Sequence, residues 1–230
     1  MRIWDIDPGY LNRQSLLGEH RELHGLVAIV LYNKKGYSNH PETKRWVAYG
    51  WALKKRHKLL SQEMLVRGYK DRSPVRIRKN AGMWPEIYID DPADQFSIIS
   101  EKYRNLECGR IALPKNSQVL WAQHKYSVMA RDIELYKSIG RKVTTLKGDN
   151  LSISSQLVEI LRVPPSAGGI RNVLHHMWGY VSDLYNGNKA GINQWSLERH
   201  LKEIRTLAVS SENQYLLSST ALGELGAWLK

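Results

Sequence analysis

Apolar residues recur at intervals of three and four along most of the chain, which is the spacing of one face of an α-helix. The first run predicts a helix over residues 12–31, with an apolar seam of Leu16, His20, Leu23, Val27 and Val30. Asn12 follows an Asp-Pro-Gly turn and is a suitable N-cap. A second seam predicts a helix over residues 43–67 that ends at Gly68, and consists of Tyr49, Leu53, Leu60 and Met64.

The rest of the chain continues this helical spacing between short polar segments. Asp91 before Pro92 predicts the start of a third helix that continues to Tyr103. Further helices are predicted over residues 119–143, 151–161, 170–185 and 196–208, and loops over 33–41, 70–85 and 164–169. No run shows the alternation expected of a strand, so the pattern indicates an all-α protein.

The length of 230 residues allows one large domain or two of about half that size. Hydrophobic residues make up 42% of the chain, which is enough for a packed core. The segment 112–116 interrupts the helical pattern with a proline and is the best candidate linker. We therefore predict two domains, 1–114 and 117–230.

Basic residues outnumber acidic ones by 34 to 22, which gives a net charge of +12 and favours a polyanionic partner. Nucleic acid is the first candidate for that partner and a membrane surface the second. The segment 53–79 alone has ten basic and two acidic side chains. Its predicted phosphate contacts are Lys54, Lys55, Arg56, Lys58, Arg76, Arg78 and Lys79. The alternative is a solvated helix face without a partner.

The cysteine count and the hydropathy pattern exclude several classes of protein. Cys108 is the single cysteine, so internal disulfides, cysteine-rich zinc sites and cysteine-bound iron–sulfur clusters are excluded. No apolar run approaches the ~18–20 residues that a membrane span requires. Asp5 and Asp7 interrupt the start of the chain where a signal peptide would be apolar. We expect a cytoplasmic protein without membrane contact.

The first two residues, Met1 and Arg2, raise the possibility of amine chemistry. Arg2 is large, so we expect Met1 to be retained and its α-amine to be the terminus. An α-amine has a pKa of about 7.7–8.0, against about 10.4 for lysine, so more of it is neutral at pH 7. A neutral amine can attack a sugar C1′ and form a Schiff base.

Glu22 lies on the predicted first helix with Gly18 and Gly25 on the same face. Each glycine inside a helix costs roughly 1 kcal/mol relative to alanine, and provides a bare surface where a substrate can approach the carboxylate. Arg21 is adjacent to Glu22 and can hold a phosphate. An amine, a carboxylate and a phosphate-binding arginine together favour sugar-phosphate chemistry. The alternative is that Glu22 is merely solvated or paired.

The same helix also contains a pattern associated with metal sites. His20 and His24 are four residues apart and share one face of the helix. The zinc-protease pattern requires a glutamate directly after the first histidine, whereas Glu22 lies about 200° around the helix from His20. The sequence indicates no third ligand, so we predict no metal and no other cofactor, with His20 packed in the apolar seam.

The first part of the chain resembles the pyrimidine-dimer DNA glycosylase and abasic-site lyase family of the phage endonuclease V type. The residues that carry this resemblance are MRIW, LLGEHREL and RHKLLSQEMLVRGYK. The resemblance covers about residues 1–80. It implies an all-α domain whose N-terminal amine attacks C1′ of the damaged nucleotide, followed by β-elimination that a helical glutamate assists. It further implies that double-stranded damaged DNA is the substrate of a DNA repair enzyme, which we expect to be a monomer.

By this resemblance the nucleophile is the α-amine of Met1 and the catalytic acid is Glu22, while Arg2 and Arg21 contact DNA phosphates. Ser15 stands where the phage protein has a histidine, and we expect it at the DNA interface. The aromatic C-terminal tail of the phage protein has no evident counterpart, which leaves the preferred lesion open between UV dimers, other damaged pyrimidines and abasic sites.

The second half resembles an uncharacterised helical domain that is also found appended to thiouracil or thiouridine desulfidase-type proteins. The residues that indicate this are VLWAQHKYSVMARDIELYKSIGRKV and PPSAGGIRNVLHHMWGYV. The resemblance implies RNA as a second partner of the C-terminal domain. The alternative function for the whole chain is therefore a non-catalytic or RNA-directed module, such as a tRNA-binding protein. His124 and His175 belong either to a nucleic-acid face or to the core.

Overall fold

A computed structural model describes residues 1–32, 34–146, 151–189 and 191–229 of the protein. In these ranges the chain forms eleven α-helices and no strand, which confirms the all-α class. The structure divides into two compact units, Met1–Gly109 and Arg110–Lys230. No helix in the described ranges has both the length and the apolar character needed to cross a membrane.

The first helix, α1, comprises Arg13–Tyr32 and begins where the sequence predicts. The Asn12 side chain accepts a hydrogen bond of 2.9 Å from the Ser15 N–H and so caps the helix start. Its apolar face is buried through Leu16, Leu23, Leu26 and Val27. The predicted loop over 33–41 begins at Asn33, which lies outside the described residues.

The single helix predicted over 43–67 is wrong, because two helices, α2 (Pro41–Trp46) and α3 (Gly50–Val66), occupy this part of the chain. Tyr49 leaves the helical conformation between them, with φ −114° and ψ 49°. A Cβ on Gly50 would lie 2.5 Å from the Ile77 side chain, so this position requires glycine. Gly68 follows α3 with φ +82°, as expected of a C′ residue.

Residues 67–91 contain no helix or strand and connect α3 to α4 (Pro92–Lys102). Val75 and Ile77 are buried, whereas the intervening and following Arg76 and Arg78 are exposed. The backbone of this segment is tied to α3, since the Trp51 N–H donates to the Lys79 carbonyl at 2.8 Å. This long segment therefore presents a basic edge while its apolar residues pack inwards.

The second unit contains the remaining helices, which pack around α5 and α8. Their bounds are α5 Ser117–Met129, α6 Ile133–Thr145, α7 Ser154–Arg162, α8 Ala167–Trp178, α9 Leu197–Ser210, α10 Gln214–Leu217 and α11 Ala221–Glu224. The single helix predicted over 119–143 is wrong, because Asp132 caps a new helix by accepting from the Glu134 and Leu135 N–H groups. The helix predicted over 170–185 begins earlier, after the cap Ser166, and ends at Trp178.

Candidate active site and basic surface

The N-terminal segment is held in place by side chains from three helices. The N–H groups of Ile3 and Trp4 donate to Glu42 and Glu19, each at 3.2 Å. The Asp5 N–H donates to the Gln95 amide oxygen at 2.8 Å. Ile3, Trp4 and Ile6 are buried in the first unit. A backbone fixed at consecutive residues in this way leaves the residues before it little freedom.

Glu22 continues this pattern at the start of the chain. Its Oε2 accepts a hydrogen bond of 2.5 Å from the backbone N–H of Arg2. Three covalent bonds separate the Arg2 nitrogen from the Met1 α-nitrogen, so the two are less than about 4 Å apart. The α-nitrogen is therefore within roughly 6.5 Å of the Glu22 carboxylate. The structure brings together the amine and the carboxylate that the sequence singled out.

The helix face around Glu22 is open. An added Cβ at Gly18 or at Gly25 would meet no atom within 4 Å. Glu22 itself is half-buried. A backbone or a sugar can thus approach the carboxylate closely from the side that the two glycines leave bare.

The two arginines predicted to contact phosphate differ in their surroundings. Arg21 is exposed on α1 next to Glu22. The Arg2 guanidinium forms an ion pair with Asp90 and lies 4.5 Å from the centre of the Trp4 ring. Its side chain is 29% exposed, so one face remains accessible to solvent.

Ser15 does not lie where the sequence-based expectation requires. The residue is buried, and its hydroxyl oxygen accepts a hydrogen bond of 3.0 Å from the Lys102 ammonium. The hydroxyl belongs to the first turn of α1, beside the cap Asn12. We therefore correct the expectation that Ser15 contacts DNA.

Arg56 requires a similar correction, because it is enclosed and not part of the surface. Its guanidinium donates to both oxygens of Glu19, at 2.7 and 2.8 Å, and to the Ile6 carbonyl at 2.7 Å. Both side chains are buried. Burial raises the pKa of the Glu19 carboxyl, and the Arg56 charge opposes that rise. This pair ties α1, α3 and the N-terminal segment together.

The other predicted basic residues lie on α3 and on the segment that follows it. Lys54 and Lys55 are half-buried on α3, and the residues that are exposed are Lys58, Arg76, Arg78 and Lys79. We call these six residues the basic surface. A groove of about 520 Å³ lies beside it, with Lys54, Lys58, Lys70 and Arg72 among its lining residues. Such a concentration of cations suits a phosphate backbone.

A cluster of three histidines and an aspartate lies on the other face of α1 from Glu22. His20 and His24 of α1 meet His57 of α3, with ring centres 4.7 to 5.0 Å apart. Asp71 joins them, with its carboxylate oxygens 3.3 Å from His20 Nε2 and 3.4 Å from His57 Nε2. The four ligand atoms are all within 4.8 Å of one another.

Burial controls the protonation of this cluster. It lowers the pKa of His57 to about 4 and lowers that of His20, while Asp71 opposes both shifts. Burial alone would raise the pKa of Asp71, but hydrogen bonds from Ser73 and Ser61 and the nearby imidazoles lower it overall. At neutral pH, His20 and His57 are therefore uncharged and Asp71 is ionised.

Sequence reasoning found two members of this cluster and missed His57 and Asp71. A signal for His57 was present, because it occupies the apolar seam of α3 between Leu53 and Leu60, as His20 does in α1. Two packed helices that each place a histidine in their shared seam bring those rings together. Asp71 carried no comparable signal, since its position depends on the turn after Gly68.

In the second unit, the histidines that the sequence leaves between a nucleic-acid face and the core differ in their burial. His124 is buried, and its Nδ1 lies 2.9 Å from the Leu120 carbonyl oxygen. Burial lowers the pKa of His124 to about 4, which the contact with Leu120 opposes. His176 is exposed, and His175 is half-buried against the His200 ring at 5.2 Å. His124 thus belongs to the core.

Comparison with known families finds a likeness for each part of the chain. Residues 1–77 match the family model described as pyrimidine dimer DNA glycosylase. Residues 125–224 match a family described as a protein of unknown function (DUF1722). The two matches confirm both resemblances, and the first supports a DNA glycosylase-like role for the N-terminal part. No curated protein and no solved structure matches the chain.

Proposed function

We propose that the protein is a DNA glycosylase and abasic-site lyase that acts on damaged pyrimidines, such as UV dimers, or on abasic sites in double-stranded DNA. The α-amine of Met1 is the nucleophile and Glu22 is the acid–base residue. The observation that carries the proposal is the hydrogen bond from the Arg2 N–H to Glu22, which keeps the first residue beside that carboxylate. The family match of residues 1–77 supports it independently.

In the first step, the neutral α-amine attacks C1′ of the damaged nucleotide. The new N–C1′ bond forms as the glycosidic bond breaks, and the base keeps the bonding electron pair and takes a proton from solvent. The sugar ring then opens: the amine nitrogen loses a proton, and O4′ leaves C1′ as a hydroxyl. The product is an imine between Met1 and the open sugar.

In the second step, the Glu22 carboxylate removes a proton from C2′. The imine accepts the resulting electron density, which makes that proton acidic, and the C3′–O bond breaks with the phosphate as leaving group. Water then hydrolyses the imine and releases the amine. The net result is a base released from its sugar and a strand nicked on the 3′ side of the attacked nucleotide, without a requirement for a metal in either step.

DNA binding depends on the basic surface together with Arg2 and Arg21. Contacts to phosphate hold the duplex without reading its sequence. For C1′ to reach the α-amine, a nucleotide has to leave the base stack, at a cost of a few kcal/mol. The open notch at Gly18 and Gly25 gives the extruded sugar room beside Glu22.

Borohydride trapping tests this proposal. The full chain is incubated with duplexes that contain a cyclobutane dimer, an abasic site or no lesion, and sodium borohydride then reduces any imine to a stable amine. We expect a covalent adduct on damaged DNA and none on the intact duplex. Acetylation of the terminus abolishes the adduct, whereas a C-terminal tag leaves it unchanged.

The Glu22→Gln variant separates the two steps. We expect it to lose strand cleavage on the dimer duplex by at least ~100-fold, in line with the usual contribution of a general acid–base group, and to retain DNA affinity. Glu107→Gln changes an exposed glutamate on the same unit and should cleave normally. Absence of an adduct on every DNA, with tight binding of structured RNA, would replace the proposal with the RNA-directed alternative.

A further inference from the structure

The histidine–aspartate cluster has polar atoms that its surroundings leave unsatisfied. The Nε2 atoms of His20, His24 and His57 are buried and make no hydrogen bond. His57 is only 4% exposed. A buried nitrogen without a partner costs about 1–3 kcal/mol, and the fold gathers three of them around a single carboxylate.

Two separations within the cluster are those of ligands around one ion, and all four ligand atoms lie within 4.8 Å of one another. A zinc ion binds imidazole nitrogen and carboxylate oxygen at about 2.0–2.2 Å, so neighbouring ligand atoms of a tetrahedral site are about 3.3–3.5 Å apart. Asp71 Oδ1 lies 3.3 Å from His20 Nε2, and Asp71 Oδ2 lies 3.4 Å from His57 Nε2. These contacts are too long for good hydrogen bonds, but they match an edge of a coordination tetrahedron.

We propose that His20, His24, His57 and Asp71 bind one zinc ion. Four protein ligands complete a tetrahedral site, which is the arrangement of structural zinc and leaves no position for a substrate. Imidazole and carboxylate are ligands that zinc accepts readily, and this site needs no cysteine.

The residues around Asp71 hold it in the orientation that a ligand needs. Its Oδ1 accepts from the Ser73 N–H at 2.9 Å, and its Oδ2 lies 2.8 Å from the Ser61 hydroxyl. Such outer contacts commonly orient ligating carboxylates. Ser61 belongs to α3, so the carboxylate is tied to the same helix that supplies His57.

The ion connects three parts of the first unit. His20 and His24 come from α1, His57 from α3, and Asp71 from the segment after α3 that contributes Arg76, Arg78 and Lys79 to the basic surface. Zinc therefore fixes the start of this basic segment against the two helices. Glu22 lies about 200° around α1 from both His20 and His24, so the ion acts as a structural clip and has no part in the amine chemistry.

Metal analysis of the full chain tests the clip directly. The protein is purified without a histidine tag, stripped with chelator and titrated with zinc chloride, with elemental analysis and competition against a chromogenic chelator as readouts. We expect one zinc per chain and a higher melting temperature with zinc. Cobalt(II) in place of zinc should give the visible absorption of a four-coordinate site.

Single substitutions locate the site. We expect Asp71→Asn, which keeps the size of the side chain, and His24→Gln each to weaken zinc binding by at least ~10-fold. His176→Gln makes the same chemical change at an exposed histidine of the second unit and should bind zinc as the wild type does. Substoichiometric zinc in the wild type, or equal affinity in Asp71→Asn, would overturn the proposal and leave a packed histidine cluster. Neither result depends on activity towards DNA.

Discussion

At the scale of single residues, the first unit depends on acids that bind backbone and arginine groups around the chain start. Glu19, Glu22 and Glu42 each accept an N–H of the N-terminal segment. Glu19 and Glu42 are enclosed, whereas Glu22 is half-buried on an open helix face. Three similar carboxylates therefore have two different roles, two structural and one available to a substrate.

Arg56 provides a stability test of this division. Arg56→Met leaves the buried Glu19 without its partner, and removing one member of a buried ion pair costs about 3–5 kcal/mol. Urea unfolding measures this loss. Arg78→Ala, at an exposed position, should change the free energy of unfolding by less than about 0.5 kcal/mol. It should instead reduce the slope of log DNA affinity against log salt by the amount expected for about one lost phosphate contact.

The double variant Arg56→Met with Glu19→Gln is the control for that result, because the glutamine oxygen can still accept from the Trp4 N–H. If the cost comes from the unpaired carboxylate, removing both charges should restore most of the stability. A stable Arg56→Met protein with weakened DNA binding would instead place Arg56 at the DNA interface and contradict the structure.

The glycines beside Glu22 are expected to lower the stability of α1 and to raise the rate of strand cleavage. Gly18→Ala and Gly25→Ala add a Cβ into open space, and each should stabilise the helix by up to about 1 kcal/mol. If the sugar approaches Glu22 over this bare face, the same changes reduce strand cleavage at abasic sites. Gly168→Ala, at an equally open position on α8, is the matched control for cleavage.

Thermal or urea unfolding measures the change in stability, and cleavage assays on the same samples measure the change in activity. Stabilised Gly18→Ala and Gly25→Ala proteins with unchanged cleavage rates would show that the open face has no part in substrate approach.

At the scale of elements, periodicity located the helices but not the breaks between them. The two seams 43–67 and 119–143 each continue across a break, because the helices on either side bury residues in the same core. The breaks are set by local chemistry: Gly50 packs against Ile77, and the Asp132 side chain caps α6. The partner of Gly50, Ile77, lies far along the chain and was not visible in the sequence. Asp132 caps N–H groups only two and three residues further on, so the periodic pattern alone concealed that break.

Whether the sequence could predict a site residue depends on whether its position is set locally or by a partner far along the chain. Met1, Glu22 and Arg21 are close in sequence or carried by a motif, and their placement needs only one helix and the chain start. Arg56 and Ser15 share the polar character of surface residues, so only their partners in the fold, the buried Glu19 and the exposed Lys102, reveal their roles. Asp71 meets the histidines through a turn that no periodic pattern encodes.

At the scale of the whole molecule, buried neutral histidines make stability depend on pH. His124 has its pKa lowered to about 4 by burial in the second unit, against about 6.5 in the unfolded chain. As the pH falls from about 6.5 to about 4, the unfolded state takes up a proton that the folded state does not. Stability therefore decreases over this range, at up to about 1.4 kcal/mol per pH unit for one such group.

Urea unfolding between about pH 7 and pH 4 measures this slope. We expect His124→Gln to flatten it, since glutamine does not titrate, and the exposed His176→Gln to leave it unchanged. An identical slope in the wild type and in His124→Gln would mean that His124 ionises equally in both states. The comparison uses the slope of the free energy of unfolding against pH. The substitution can also lower stability through lost packing, but that loss changes the absolute stability and not the slope.

The central claim is that the first amine of the chain forms the covalent bond to DNA beside Glu22. The most direct test is to reduce the complex with an abasic duplex using borohydride, digest protein and DNA, and locate the sugar remnant by mass spectrometry. The account predicts the remnant on the α-nitrogen of Met1, in wild type and in Glu22→Gln alike. A remnant on a lysine side chain of the basic surface, with the α-amine unmodified, would contradict it.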